Sequence, residues 1–143
     1  MIKLNDIKAY CLRHQIRLTP LRLKVIAALI TQNQPISAYD LLAILKKDKP
    51  EIKIMSVYRV LDFLQSHHIA HKIDATHTYS LCCHPSDQLC QLFICQSCGR
   101  KFETHAQSVY ESISKLADDK KFIIKQSKIE LIGLCHLCVG VID

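Results

Sequence analysis

Glycine is scarce, with three residues in 143. That scarcity excludes a loop-rich or low-complexity architecture. Long apolar runs are missing as well. The opening stretch MIKLNDIKAYCLRH has no continuous apolar segment, so no secretory signal is expected there. The longest apolar stretch, IELIGLCHLCVGVI, is short and broken by Glu130 and His136, and it cannot span a bilayer. A cytoplasmic location with no membrane partner is the expectation. Acidic charge is sparse in the first half: residues 1–73 hold 5 Asp/Glu against 12 Lys/Arg and carry +7. Residues 74–143 carry −1, so the whole basic excess lies at one end. Such a one-sided excess points to a polyanionic partner.

With 49% hydrophobic and 22% charged residues, the chain folds and buries a core. Its length suits one ordinary domain or two very small ones. Cysteine is distributed in the opposite sense to positive charge. Seven of the eight cysteines fall between Cys82 and Cys138. In a chain of the reducing cytosol, such clustering favours metal or redox chemistry over disulfides. Two units follow, one basic and helical, the other rich in cysteine.

Leu4, Ile7, Cys11 and Leu12 recur at helical spacing. In RLTPLRLKVIAALITQ, Thr19 suits an N-cap and Pro20 the first helical position, with Leu21, Val25, Ala28 and Leu29 as the buried stripe. Ser37 opens a third helix, with Asp40 in the Glu/Gln slot of a capping box. A fourth runs over about SVYRVLDFLQSHH, with Val57, Val60, Leu61 and Leu64 inward. IAHKID and THTYSLC then read as two short strands. Three helices followed by a hairpin, in a basic unit, give the winged helix-turn-helix plan. The last helix before the wing enters the major groove in that plan, and its first residues reach base edges. Ser56, Tyr58 and Arg59 hold those positions. Arg59 suits a guanine or a phosphate, while Tyr58 suits either DNA or the core. Tyr39, early in the preceding helix, is a further candidate.

The second half alternates between strands and a helix. QLFIC and RKFET read as strands, SVYESISKLADDK as a helix with Val109, Ile113, Leu116 and Ala117 as its stripe, and KFIIKQSKIELIGLC as two more strands. The fold class is therefore α+β. A winged-helix DNA-binding domain spans residues 1–80, a hinge 81–90, and a small α/β dimerisation domain 91–143. The last of these buries little alone, so a metal staple or oligomerisation is expected.

Cys95-x-x-Cys98 is matched by Cys135-x-x-Cys138. Four thiolates form the tetrahedral soft set that structural zinc prefers, and Gly99 suits the turn behind the first pair. A single such pair would also fit a thiol–disulfide couple; two pairs without a βαβ pattern fit a cage better. Further donors gather between the halves: His71, His77, Cys82, Cys83, His84, Cys90, Glu103 and His105. An ion shared by residues of the wing, hinge and second unit would favour one orientation of the two units.

RLTPLRLKVIAAL, SVYRVLDFL and the paired Cys-x-x-Cys motifs resemble the ferric uptake regulator family across essentially the whole chain. ISAYDLL, HKIDATHTYSLC and FICQSCG look most like its zinc-sensing branch. The resemblance implies a homodimeric, metal-activated transcriptional repressor rather than an enzyme. It implies two zinc ions per subunit, one structural and one regulatory, and zinc-uptake promoters with AT-rich inverted-repeat operators as targets. By position, Cys95, Cys98, Cys135 and Cys138 match the structural cage. His71, Cys82 and Glu103 match three sensing ligands, and Tyr39 and Arg59 match positions used toward DNA. This chain departs from the pattern at the fourth sensing ligand, where the position of the usual histidine falls near Gln88. Cys90 is expected in its place, with His84 as the alternative. Thiolates at Cys82 and Cys90 favour zinc over iron.

Overall fold

The computed structural model describes residues 1–83, 85, 89–125 and 127–141. The chain divides into two compact units, Met1–Ser86 and Asp87–Asp143.

The first unit is built from four helices and a hairpin. Helix α1 is Leu4–Arg13, α2 is Pro20–Gln32, α3 is Ala38–Lys46 and α4 is Ile54–Ser66. Strands β1 (Ala70–Ile73) and β2 (Thr78–Leu81) pair antiparallel, with His71 opposite Ser80 and Lys72 opposite Tyr79. A bridge from Ile36 to Tyr79 ties the loop before α3 to this wing. Local chemistry sets the helix starts. The Thr19 side chain accepts from the Arg22 N–H at 3.3 Å, with Pro20 in the first turn, and the Ser37 side chain accepts from the Asp40 N–H at 3.1 Å. Asn33 ends α2 in the left-handed region at φ +50°. Helix α4 starts at Ile54, ahead of the expected Ser56, because Lys53 already adopts the extended cap conformation.

The apolar faces meet in one core. Val25, Ile26 and Leu29 of α2, Leu41 and Leu45 of α3, and Val57, Leu61 and Leu64 of α4 pack with Ile7 of α1. Ile69, Tyr79 and Leu81 extend that core beneath the wing. Leu21 and Tyr58 are only half-buried at its edge.

The second unit is a three-stranded sheet with a helix. Strands β3 (Gln91–Cys95), β4 (Lys101–Thr104) and β5 (Ile129–Gly133) lie in the order β4-β3-β5. β4 runs antiparallel to β3, and β5 parallel to it. Helix α5 (Gln107–Asp119) lies in the crossover, and a short 3-10 turn, Val139–Val141, follows the second cysteine pair. Two expectations change here. Phe122 to Ile124 form no strand, so only one strand follows α5 among the described residues. The stripe of α5 is also not buried: no residue of that helix is, and Leu116 is 60% exposed.

The two unequal helix caps give a direct test. Replacing Thr19 with Ala should destabilise the first unit by about 1 kcal/mol. Lys53→Ala should leave stability nearly unchanged, because the Lys53 side chain makes no cap hydrogen bond. Urea unfolding followed by circular dichroism compares the two.

Candidate metal centres and nucleic-acid interface

The parallel pairing of β3 and β5 sets Cys95 beside Gly133 at the same end of the sheet. Cys95 is the last residue of β3, and Cys135 lies just beyond the end of β5. Behind Cys95 the chain turns back tightly: the Gly99 N–H donates to the Cys95 carbonyl at 2.8 Å, and the Cys95 N–H to the Arg100 carbonyl at 2.9 Å. Gly99 sits at φ +72°, where a side chain is strained whatever space surrounds it. At the second pair, the Cys138 and Val139 N–H groups both donate to the Cys135 carbonyl at 2.9 Å.

All four sulfurs lie within 4.8 Å of one another. The Cys98 and Cys135 sulfurs are 3.8 Å apart. Zinc–sulfur bonds of about 2.3 Å in a tetrahedron put sulfurs roughly 3.8 Å apart, so the donor set fits zinc. Cys95 and Cys135 are buried, Cys138 is half-buried and Cys98 is exposed.

Electrostatics push two of the thiols, Cys95 and Cys138, in opposite directions. Backbone N–H groups of Cys135, Cys98 and Ser97 point at the Cys95 sulfur, and these with the Cys98 thiol outweigh burial and hold Cys95 down at about 6. The Cys135 N–H donor is 3.4 Å from that sulfur. Cys138 is pulled down by the Ser97 hydroxyl. The Cys135, Cys98 and Cys95 thiols and burial together outweigh that pull, and Cys138 is pushed up to about 12. One thiolate forms readily, and the last resists ionisation beside its neighbours. A dication removes that conflict by neutralising the thiolates.

The remaining candidate ligands fall in both units. In the first unit, His71 lies on β1 and Cys82 directly follows β2. The Cys82 N–H donates to the Ile69 carbonyl at 2.9 Å, and its side chain is fully buried. The donor atoms of His71 and Cys82 are within 4.8 Å of each other. In the second unit, Cys90 precedes β3 and Glu103 lies on β4, and their donor atoms are likewise within 4.8 Å. The Glu103 carboxylate is held at both oxygens, by Lys101 Nζ at 3.0 Å and by His105 Nε2 at 3.1 Å. His77 sits in the exposed hairpin turn at φ +52°, and Cys83 is exposed. His84, the alternative fourth ligand, lies outside the described residues.

On the first unit, Tyr39 is 65% exposed at the start of α3, and Arg59 is exposed on α4. Ser56 and Arg59 line a concavity of about 230 Å³ with Thr19, Leu21, Arg22 and Val60. Tyr58 is half-buried and packs on the core. The first turns of α2 and α4 therefore open into one hollow. Neither carries an acidic residue, whereas α1 has Asp6 and α3 has Asp40. Bare helix starts of this kind attract anions. Sequence reading missed Arg22. Its guanidinium lies 3.4 Å over the Phe63 ring and donates to the Arg17 carbonyl at 2.7 Å, which fixes a cation at the rim. Only its place one residue beyond Leu21, at the edge of the apolar stripe, could have signalled it.

A winged-helix unit with electropositive helix starts, joined to an α/β unit with a four-thiol cage, defines a class: a DNA-binding protein that carries a caged metal. The chain belongs to the ferric uptake regulator family, whose pattern it matches over residues 13–132. It is 40% identical over 134 residues to the zinc uptake regulation protein of Escherichia coli (strain K12), spanning 92% of this chain and 78% of that relative. The ferric uptake regulation protein of Bacillus subtilis (strain 168) is 27% identical over 143 residues, spanning 96% of this chain and 95% of that one. Among solved structures, a zinc uptake regulator complexed with zinc and DNA superposes with a TM-score of 0.87 at 37% identity, over 96% of this chain and 93% of its own. The holo form of XcZur superposes at 0.84 with 26% identity, over 96% of each chain.

The opposed shifts of Cys95 and Cys138 set a pH profile for the zinc-stripped chain. Cys95 titrates below its ordinary value of 9.0, so its contribution grows as pH rises from about 6 to 9.0 and is lost on acidification through about 6. Cys138 titrates above 9.0, so its contribution is present below that pH and is lost as pH climbs toward about 12. The thermal midpoint of the stripped chain should rise from pH 6 to 9 and fall beyond. Cys138→Ser should make the alkaline fall shallower and keep the acid limb; the fall that remains belongs to Cys11 and Tyr79, which burial also pushes up. Calorimetry across pH reads both limbs.

Proposed function

We propose that this chain is a zinc-responsive transcriptional repressor. It acts in the cytoplasm as a homodimer and binds AT-rich inverted-repeat operators of zinc-uptake genes. The observation that carries this reading is the donor inventory: a four-thiol cage in the second unit and, in addition, one close pair of donors within each unit. The cage takes structural zinc. His71 and Cys82, with Cys90 and Glu103, take a regulatory zinc, giving two ions per subunit. Two thiolates in that second set select zinc over iron. Cys90 serves as the fourth ligand because it directly precedes β3, which the sheet holds on both edges.

An ion that draws ligands from both units favours the orientation that suits DNA. Zinc and operator then strengthen each other's binding by the same factor. Arg59 and Ser56 present to the major groove, Tyr39 supports them, and Tyr58 braces the helix from the core side. The exposed apolar side chains of the second unit, among them Leu116, Phe122, Ile123 and Ile132, support a homodimer. Two recognition helices related by a two-fold axis match an inverted repeat. The relatives that are zinc and ferric uptake regulation proteins support a regulator rather than an enzyme.

Fluorescence anisotropy of a labelled AT-rich inverted-repeat duplex, at buffered free zinc, tests the proposal. Zinc should tighten binding, with iron(II) and manganese(II) less effective, and Cys82→Ser should abolish the effect while the fold persists. Arg59→Ala should weaken zinc-loaded binding by about 1–3 kcal/mol, roughly 5- to 160-fold. Affinity that ignores zinc beyond the cage requirement would refute the regulatory role. Cys90→Ser should mimic Cys82→Ser, whereas His84→Ala should not.

A further inference from the structure

Cys90 and Glu103 have a third neighbour inside the second unit. The His105 ring nitrogens lie 3.6 and 3.7 Å from the Cys90 sulfur. His105 Nε2 is also 3.1 Å from Glu103 Oε1. A sulfur, an imidazole nitrogen and a carboxylate oxygen thus converge at one place, all contributed by the second unit. The Glu103 side chain is 1% exposed and that of His105 18%.

The backbone holds these three in place without help from an ion. Cys90 and His105 are 15 residues apart in sequence, yet Gln91 joins their surroundings. Its buried amide oxygen accepts from the Thr104 hydroxyl at 2.9 Å and from the Ala106 N–H at 2.8 Å. Its amide nitrogen donates to the Leu89 carbonyl at 2.8 Å. One buried side chain therefore bonds to the residues on both sides of His105 and to the residue before Cys90. Strand pairing adds to this, with Gln91 in register with Thr104. The donors are fixed before any ligand arrives, which is what a small, selective site requires.

We propose that His105 is itself a ligand, and that Cys90, Glu103 and His105 form a three-donor divalent-metal site within the second unit. This rests on the reading that a regulatory zinc binds at Cys90 and Glu103. It goes further in stating that the second unit holds that ion without His71 and Cys82. One thiolate, one imidazole and one carboxylate suit zinc or cobalt(II), and three protein donors leave positions open for ligands from elsewhere. Lys101 stays on Glu103 Oε2 and orients the carboxylate.

The test uses the full chain with zinc in the cage, titrated with cobalt(II) and followed by its visible ligand-field bands and its near-ultraviolet sulfur-to-cobalt band. The parent takes up one ion beyond the cage. The double variant His71→Ala/Cys82→Ser still takes up that ion, more weakly, with the charge-transfer intensity of one thiolate. Adding His105→Ala to the double variant weakens uptake by at least about 10-fold and shifts the ligand-field bands. His105→Gln, which keeps a polar side chain, does the same and covers the case in which the alanine variant misfolds. A double variant that holds no second ion overturns the proposal. So does weaker uptake with unchanged ligand-field bands, because His105 would then only position Glu103. A parent that takes up no ion beyond the cage overturns the functional reading and this inference together, whereas the other two failures leave the functional reading standing.

Discussion

Four thiol groups within one small volume cannot all ionise unless a cation stands among them, and the second unit is organised around that constraint. Among the described residues, its buried apolar side chains are few: Leu89, Leu92, Ile94, Cys95 and Cys135. Helix α5 buries none. Such a unit draws little stability from its core, so metal–thiolate bonding becomes folding free energy. The parallel placement of β3 and β5 serves the same end. It brings two strand termini together, and the turn at Gly99 bends each sulfur of the first pair toward the second.

The first unit solves its problem by other means. Its core gathers side chains from all four helices and the wing, so it has no need of an ion to fold. Its polar features are spent on the surface. Side-chain caps start α2 and α3, while the first turns of α2 and α4 are left without acidic residues, and both open into the hollow lined by Arg22 and Arg59. The basic half thereby gains a shaped concavity rimmed by arginine, which a surplus of lysine alone would not provide.

Much of this was legible in the sequence because it is local. Thr19 with Pro20, and Ser37 with Asp40, mark helix starts within four residues. The spacing of Cys95, Cys98, Cys135 and Cys138 marks the cage without knowledge of the strands between them. The failures were non-local. Apolar periodicity in α5 correctly signalled a helix but not whether its stripe is covered within one chain. KFII has strand-like composition, yet no neighbouring strand takes it up among the described residues. The approach of His105 to Cys90 depends on β3–β4 register and on Gln91, and no spacing rule encodes either. Arg22 was hidden because its role comes from the Phe63 ring beneath it, a contact set by packing between α2 and α4.

The separation of the two cysteine pairs along the chain has a consequence for biosynthesis. Cys98 and Cys135 are 37 positions apart. At a synthesis rate of about 5–20 residues per second, the first pair waits roughly two to seven seconds for the second. During that interval the nascent chain has half of the cage thiols and no cage, and strand β3 lacks its parallel neighbour. The first unit, whose helices make mostly local contacts, completes its core earlier in the same passage. The first unit is therefore complete before the four-cysteine cluster of the second can close, and an ion bound there would act only on the last stage of maturation.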